Sequence, residues 1–392
     1  MGIYLLILFL LFVLGYWQTS GKLSKKTSSQ AFTFILFFFW ILSFIRWKTG
    51  TDWDSYYDCF AINVELWEFQ ERGFELFYTY LNWGVKQLTS SYWILLAIIG
   101  SIIYPLTGST IKKFSPLPFV SLLVYLLLRR ADIFFVRESI ALAFCFYSFK
   151  YIYNKKSVEY LLCVLVATQF HNAAFAFFPA YFIFHLKIDI KKTIYLLIFV
   201  ICVFIILQEY ITGLLGPMAS IFGESFLDKT GKYLERGFDS GGATSVASAM
   251  IRGSLNRFIL LLFFLYGYFK QLQCTKGNLI SPLNVEYFNK NEKLEKQIAC
   301  RDIQLFRGLL NLYMFSIFLF AVLAPLSLTL NRLADTYEMA AILLAGFAMN
   351  SYSKKIKLSI YILFYIYIAI RFFVGTLFGV YGEEFVPYKT IF

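Results

Sequence analysis

Apolar runs recur along the whole chain: Ile3–Trp17, Ala31–Ile45, Tyr92–Tyr104, Ile194–Leu207, Phe258–Tyr268, Leu309–Leu323, Ala340–Met349 and Leu358–Ile370. None alternates apolar with polar residues, so barrel strands are excluded and helices are expected. Cutting at the polar interruptions gives about twelve spans, near 2–18, 31–47, 91–111, 117–129, 132–153, 157–170, 173–187, 193–211, 254–271, 307–326, 333–351 and 356–376. The shortest can merge or re-enter, so ten to twelve transmembrane helices are expected. Two longer stretches, about 48–90 and 212–253, are expected as large loops on one face, and a charged loop, about 272–305, on the other. The pattern thus predicts an all-α polytopic integral membrane protein, with residues 1–392 as a single transmembrane domain. The first run is expected to be retained as a helix, because nothing basic precedes it and no small-residue cleavage site follows.

Composition sharpens this picture. Hydrophobic residues make up 59% of the chain, aromatics 21% and charged residues 15%. A soluble fold has too little interior for that apolar content. The net charge of +12 would fit a nucleic-acid partner. Most lysines, however, fall in short loops between apolar runs, where the positive-inside rule places them, so no nucleic acid is expected. Cys59, Cys145, Cys163, Cys202, Cys274 and Cys300 are scattered, which excludes a disulfide framework or a cysteine metal site as the leading reading.

Lysine-bearing loops occur at Lys22/Lys25/Lys26, Lys112/Lys113, Lys155/Lys156, Lys187/Lys191/Lys192, Lys270–Lys296 and Lys354/Lys355/Lys357. They alternate, so all can face the cytoplasm. Of the arginines only Arg301 and Arg307 fall on that side. Arg46, Arg72, Arg129, Arg130, Arg137, Arg236, Arg252, Arg257, Arg332 and Arg371 lie at or near the opposite face. Topology needs positive charge inside and is indifferent to which residue supplies it. Arginine, unlike lysine, holds phosphate through a planar fork, so an outer cavity that grips a phosphate or diphosphate would account for the split. The alternative is that these arginines snorkel to lipid headgroups.

Four motifs carry candidate chemistry. In "TGTDWDSY" (Thr49–Tyr56), Asp52 and Asp54 could serve as a general base, a metal ligand or sugar-hydroxyl acceptors, or form a solvated Asx-turn. In "RRADIFFVRES", a continuous helix would put Arg130 and Arg137 on one face, about 10.5 Å apart, with Glu138 beside them; a structural ion pair between helices is the alternative. In "TQFHNAAF", His171 could accept a proton or simply be a hydrogen-bonded helix-end histidine. In "LNRLADTYEMA", Arg332, Asp335, Tyr337 and Glu338 interrupt an apolar region, and an Arg332–Asp335 ion pair is the local reading.

Taken in order, these motifs resemble the EpsG family of bacterial exopolysaccharide polymerases, within the broader Wzy-type group. "RWKTGTDWDSYY" resembles the family's early Arg…Gly-Thr-Asp…Tyr signature, and "ERGFELFY" its Glu-x-Gly-Phe/Tyr element. "RESIALAF" resembles its Arg-Gln-x-x-Ala helix, with Glu138 where the family usually has glutamine. "FHNAAF", "NRLADTYEM" and "VPYKTI" resemble its Phe-His-x-small, Asn/Ser-Arg-x-x-x-Tyr and C-terminal Pro-Tyr elements.

The resemblance implies a multi-pass glycosyltransferase of the bacterial inner (cytoplasmic) membrane. Its substrates would be oligosaccharide repeat units on undecaprenyl diphosphate, joined at the outer face to build O-antigen, capsule or exopolysaccharide. On that reading Asp52, then His171, are the candidate bases. Arg46, Arg129, Arg130, Arg137 and Arg332 are candidate diphosphate ligands. Asp54, Trp53, Tyr56, Glu138 and Tyr337 are candidate sugar contacts. No cofactor and no metal is called for, and a Wzz-type chain-length-regulating co-polymerase is a candidate partner besides membrane lipid. Alternatives are a glycan ligase or single-transfer glycosyltransferase, a lipid-linked oligosaccharide flippase, or a surface-glycan O-acetyltransferase. A flippase would carry basic residues at several depths, and an acetyltransferase needs a cytoplasmic acyl donor; arginines gathered at one face speak against both.

Overall fold

The computed structural model describes residues 1–222, 246–279, 290–324, 328–377 and 382–391. It is 83% helical. Among the described residues the sole strand-like feature is an isolated antiparallel bridge between Arg46 and Thr390. Seven helices there are long and apolar enough to cross a membrane. The protein is therefore an all-α, multi-pass membrane protein.

The helices are α1 (Gly2–Thr19), α2 (Lys25–Ile45), α3 (Trp53–Ile62), α4 (Leu66–Glu71), α5 (Leu76–Leu88), α6 (Tyr92–Phe114), α7 (Pro118–Arg129), α8 (Arg137–Tyr153) and α9 (Ser157–Thr168). They continue as α10 (Ala180–His185), α11 (Ile190–Phe222), α12 (Val246–Leu279), α13 (Lys290–Leu323), α14 (Arg332–Glu338), α15 (Ala340–Asn350), α16 (Lys354–Phe372) and α17 (Gly382–Phe385). The seven long spans are carried by α1, α2, α6, α11, α12, α13 and α16. The other expected spans are shorter helices. The one expected at 132–153 begins only at Arg137, and the one at 173–187 is split into a 3-10 turn, Asn172–Phe177, and α10.

The expected loops also differ. Residues 48–90 are not a loop, because α3, α4 and α5 fill them. Aromatic residues supply the reason: Trp53, Phe60, Phe69 and Tyr78 are buried, so each short helix has an apolar face to cover. Helices α11 and α12 extend into the stretch expected as a loop at 212–253, of which 223–245 lies outside the described residues. Helices α12 and α13 likewise extend into 272–305, of which 280–289 lies outside them.

The chain forms two compact units, residues 1–178 with 342–392, and residues 179–341. In the first unit α2 and α6 run antiparallel. Trp40 Nε1 donates to the Ala97 carbonyl at 2.9 Å near one end, and Lys112 Nζ donates to Thr33 at 3.3 Å near the other. Helix α6 packs on α8 and α8 on α9, while α1 lies against α7 and α16. Ser24 caps α2 by accepting from the Thr27 N–H, and Pro118 opens α7 where its missing N–H costs nothing.

The C-terminal tail belongs to this unit. The Trp47 N–H donates to Lys389 O at 2.9 Å, Gly50 N–H to Glu384 O at 2.8 Å and Ile391 N–H to Ile45 O at 2.9 Å. Tyr4 on α1 donates to Phe385 O. In the second unit, Asn311 on α13 donates to the carbonyls of Ile183 at 3.1 Å and Leu186 at 2.8 Å, satisfying groups that the end of α10 leaves open. Arg257 on α12 pairs with Glu338 at 2.9 Å and lies over the Phe320 ring.

Helices α1 and α16 touch at Gly15. A Cβ there would lie 2.2 Å from the Tyr361 hydroxyl, which donates to Leu11 O and Phe12 O. Gly15→Ala must therefore displace a fully buried tyrosine from its partners, an overpacking worth about 1–3 kcal/mol. The thermal midpoint of the purified protein in detergent should fall for Gly15→Ala. It should stay unchanged for Gly2→Ala, where an added methyl meets nothing within 4 Å.

Candidate functional site

The site builds up from Glu75, the residue before α5. Its side chain makes no cap for that helix. It turns instead to two other segments. Oε2 lies 2.5 Å from Nη1 of Arg137, the first residue of α8. Oε1 lies 3.2 Å from Nδ1 of His171 and accepts the Asn172 N–H at 3.0 Å, both just beyond the end of α9. A backbone bond from Phe77 N–H to Gln169 O at 3.0 Å fixes α5 against that end. Helix α3 adds Tyr56, whose hydroxyl accepts from Arg137 Nε at 3.1 Å.

Arg137 sits at a helix N-terminus, the end where the dipole disfavours a cation. Glu75 compensates, and the rings of Phe74, Tyr56 and Tyr78 lie 4.3, 5.6 and 5.8 Å from the guanidinium carbon. With Nε and Nη1 engaged, Nη2 remains for a further oxygen. Side-chain exposure is 8% for Glu75, 17% for Arg137 and 13% for His171, so these charges meet in a shielded place. Burial pushes the Glu75 carboxyl up. The hydrogen bond with His171, the charge of Arg137 and the Asn172 N–H outweigh it and hold the group at about 2. The carboxylate is thus ionised at any physiological pH. The other ring nitrogen of His171, Nε2, is buried without a protein partner.

A second network lies between α7 and α8. Arg130, Ala131 and Asp132 all adopt left-handed backbone, with φ of 49°, 55° and 52°. Such a run of non-glycine residues is strained by about 1–2 kcal/mol per residue. Side chains hold it. Arg129 Nε reaches Asp132 Oδ1 at 3.0 Å, Nη1 reaches Glu138 Oε1 at 2.8 Å and Nη2 reaches Ser139 Oγ at 3.3 Å. Asp132 also accepts from Ser139 at 2.6 Å and from Tyr125 at 2.7 Å.

These contacts correct the reading of "RRADIFFVRES" as one helix face. The helix breaks after Arg129 and restarts at Arg137. Arg129 turns to Asp132 and Glu138, Arg130 lies over the rings of Phe135 and Phe385, and Arg137 turns to Glu75. The three neighbouring guanidiniums therefore do not line one face, and Arg129 is held within the fold by acids. Arg46 is also internal, 2% exposed, donating to the Ser43 carbonyl at 3.2 Å and that of Thr49 at 2.7 Å.

Asp52 is exposed at the N-cap of α3 with no side-chain cap bond, and Asp54 is exposed in its first turn. Trp53 is 2% exposed and stacked on Tyr57 at 4.7 Å, so its ring faces the protein and not a sugar. Arg332 is exposed on α14 in the second unit, where Tyr337 is buried edge-on to Phe315. Glu338 pairs with Arg257 across helices. Of the expected site residues, the structure brings together Tyr56, Arg137 and His171.

This assembly joins the early Tyr-bearing motif, the Arg helix and the Phe-His element in one place. A family model described as the EpsG family matches residues 30–390. The chain belongs to the EpsG family. That is a family of Wzy-like polymerases, which supports a polysaccharide-polymerase role in general terms. No curated protein and no solved structure matches the chain. Glu75, the residue the sequence reading passed over, lies inside the EpsG-like stretch "ERGFELFY". An acid just before an amphipathic helix reads as an ordinary start signal, so only its partners reveal it.

The depressed Glu75 value has a definite sign. Its stabilising contribution is complete above the ordinary carboxyl value of 4.5 and is lost as pH falls towards about 2. Acid titration of the unfolding midpoint should show a loss across that window. Glu75→Gln, which has no proton to gain, should flatten it.

Proposed function

We propose that this protein polymerises a bacterial surface polysaccharide at the outer face of the cytoplasmic membrane. It joins undecaprenyl-diphosphate-linked oligosaccharide repeat units and releases undecaprenyl diphosphate. Membership of the EpsG family supports the polymerase class. The arrangement of Glu75, His171 and Arg137 supports the chemistry and carries this reading. In the first unit, His171 and Arg137 lie at helix ends opposite to those bearing Lys112/Lys113 and Lys155/Lys156, which fits an outer site under the positive-inside rule.

An acceptor hydroxyl attacks the anomeric carbon of the donor glycan, the new C–O bond forms and the bond to the diphosphate oxygen breaks. The hydroxyl proton goes to His171 Nε2. Glu75 holds the Nδ1–H tautomer and stabilises the imidazolium that forms, the role a carboxylate plays behind any histidine base. The departing diphosphate carries away the electron pair, and Arg137 Nη2 can donate to it in a shielded site where such a contact is strongest. Tyr56 keeps the guanidinium plane oriented through Nε. His171 is preferred to Asp52 as the base because Asp52 is exposed and nothing orients it. Arg130, in the same unit, remains a candidate contact to the substrate's phosphates, and Asp54 to its sugars.

The test is turnover of a defined lipid-linked repeat unit by purified, monodisperse protein, read as a ladder of multiples. His171→Ala should lower polymerisation by about 10²–10⁴-fold, the usual worth of a general base. Glu75→Gln should lose most activity. Arg137→Lys, which keeps charge and loses the fork, should retain little, and Asp52→Asn should stay near wild type. Loss of activity in Asp52→Asn with a working His171→Ala would reverse the assignment. Addition of one unit only would point to a ligase.

A further inference from the structure

A groove of about 570 Å³ runs between α2 and α6, far along α6 from the Glu75 cluster. We propose that it binds one acyl chain of an anionic phospholipid, with the headgroup held at Lys112 and Thr33. Its floor is small: Ser101, Pro105, Gly108 and Ser109 on α6 leave the space that Leu36 and Trp40 of α2 border. Ser101, Pro105 and Ser109 are exposed, so the groove opens towards the membrane and not into the helix bundle.

Its dimensions choose the occupant. From Gly100 to Lys112 the helix rises about 18 Å, close to the depth of one leaflet, about half of a hydrocarbon core of about 30 Å. A volume of about 570 Å³ over that length leaves a mean cross-section of about 30 Å². A methylene chain, packing at about 4 Å from its neighbours, fits.

Charge chooses the headgroup. Lys112 is exposed at the groove's end and hydrogen-bonded across to Thr33 at 3.3 Å. The antiparallel pairing brings Lys25 and Lys26, at the start of α2, to the same end as Lys112 and Lys113. No Asp or Glu occurs anywhere in residues 1–51 or 76–131. The cluster therefore has no acid on either helix to neutralise it, and each lysine near such a surface favours an anionic lipid by about fivefold. The lysine end places this lipid in the leaflet opposite to the one that holds the proposed polymerisation site, so it is a membrane phospholipid distinct from the substrate carrier.

Trp40 lines the groove near its deep end and reports occupancy. Protein in phosphatidylcholine nanodiscs is titrated with phosphatidylglycerol brominated in mid-chain. The difference in quenching between wild type and Trp40→Phe isolates the Trp40 signal. Brominated phosphatidylglycerol should quench it at a mole fraction lower by about fivefold or more than brominated phosphatidylcholine. Lys112→Gln, which leaves Lys25, Lys26 and Lys113 in place, should reduce that preference by about fivefold while leaving quenching itself. Ser109→Phe, or the smaller obstruction Ser101→Leu, should remove the quenching in protein that is still helical and monodisperse. Equal quenching by both lipids in wild type, or full quenching in both obstructed variants, overturns the proposal. So does an unquenched Trp40 in a dimer that Ser109→Phe dissociates, since the groove would then seat a second copy.

Discussion

One carboxylate ties together the part of the molecule where the chemistry is proposed. Glu75 bonds Arg137, 62 residues away, and His171, 96 residues away, so α5, the start of α8 and the end of α9 converge on a single side chain. Without it the shielded guanidinium of Arg137 would carry an uncompensated desolvation cost. With it, the arginine escapes the unfavourable dipole of its own helix and the histidine ring is held in one orientation. Arg137, held by that one group, in turn meets the Tyr56 hydroxyl and the rings of Phe74 and Tyr78.

Arginine does two kinds of work in this protein. Arg129 and Arg46 are consumed internally, one by a pair of acids, the other by backbone carbonyls. Arg137 and Arg130 keep unfilled donor capacity, the latter with a buried Nε that no protein acceptor meets. A count of outer arginines cannot separate these classes. The observed placement can: all three nitrogens of Arg129 are engaged and Arg46 is 2% exposed, so neither presents an edge to a phosphate.

Much of the fold was legible as hydrophobic pattern. Each long apolar run became a helix, since a bilayer permits little else. The break at Arg130–Val136 was not legible, because "IFFV" looks like continued helix and nothing in it is glycine or proline. The left-handed turn is held by side-chain bonds among Arg129, Asp132 and Ser139, and polar residues that close such a turn look no different in sequence from those of a helix face. Helices α3 to α5 were read as loop because their charged faces mask short apolar ones. In the candidate site, Arg137, His171 and Tyr56 were visible as polar residues out of place. Glu75 was not, since its importance lies entirely in who its distant neighbours are.

The tail paired along residues 45–50 has a consequence for biosynthesis. Tyr4 finds its partner carbonyl at Phe385 and the Trp47 N–H finds one at Lys389, while the Ile45 carbonyl accepts from the Ile391 N–H. Chains emerge from the ribosome N-terminus first. The helices of residues 1–50 must therefore insert and wait, with these groups unmatched, until residues 384–391 have been made. That interval is a window in which a nascent chain is exposed to quality-control proteases. A premature stop a few residues upstream of Glu384 would leave the window permanently open.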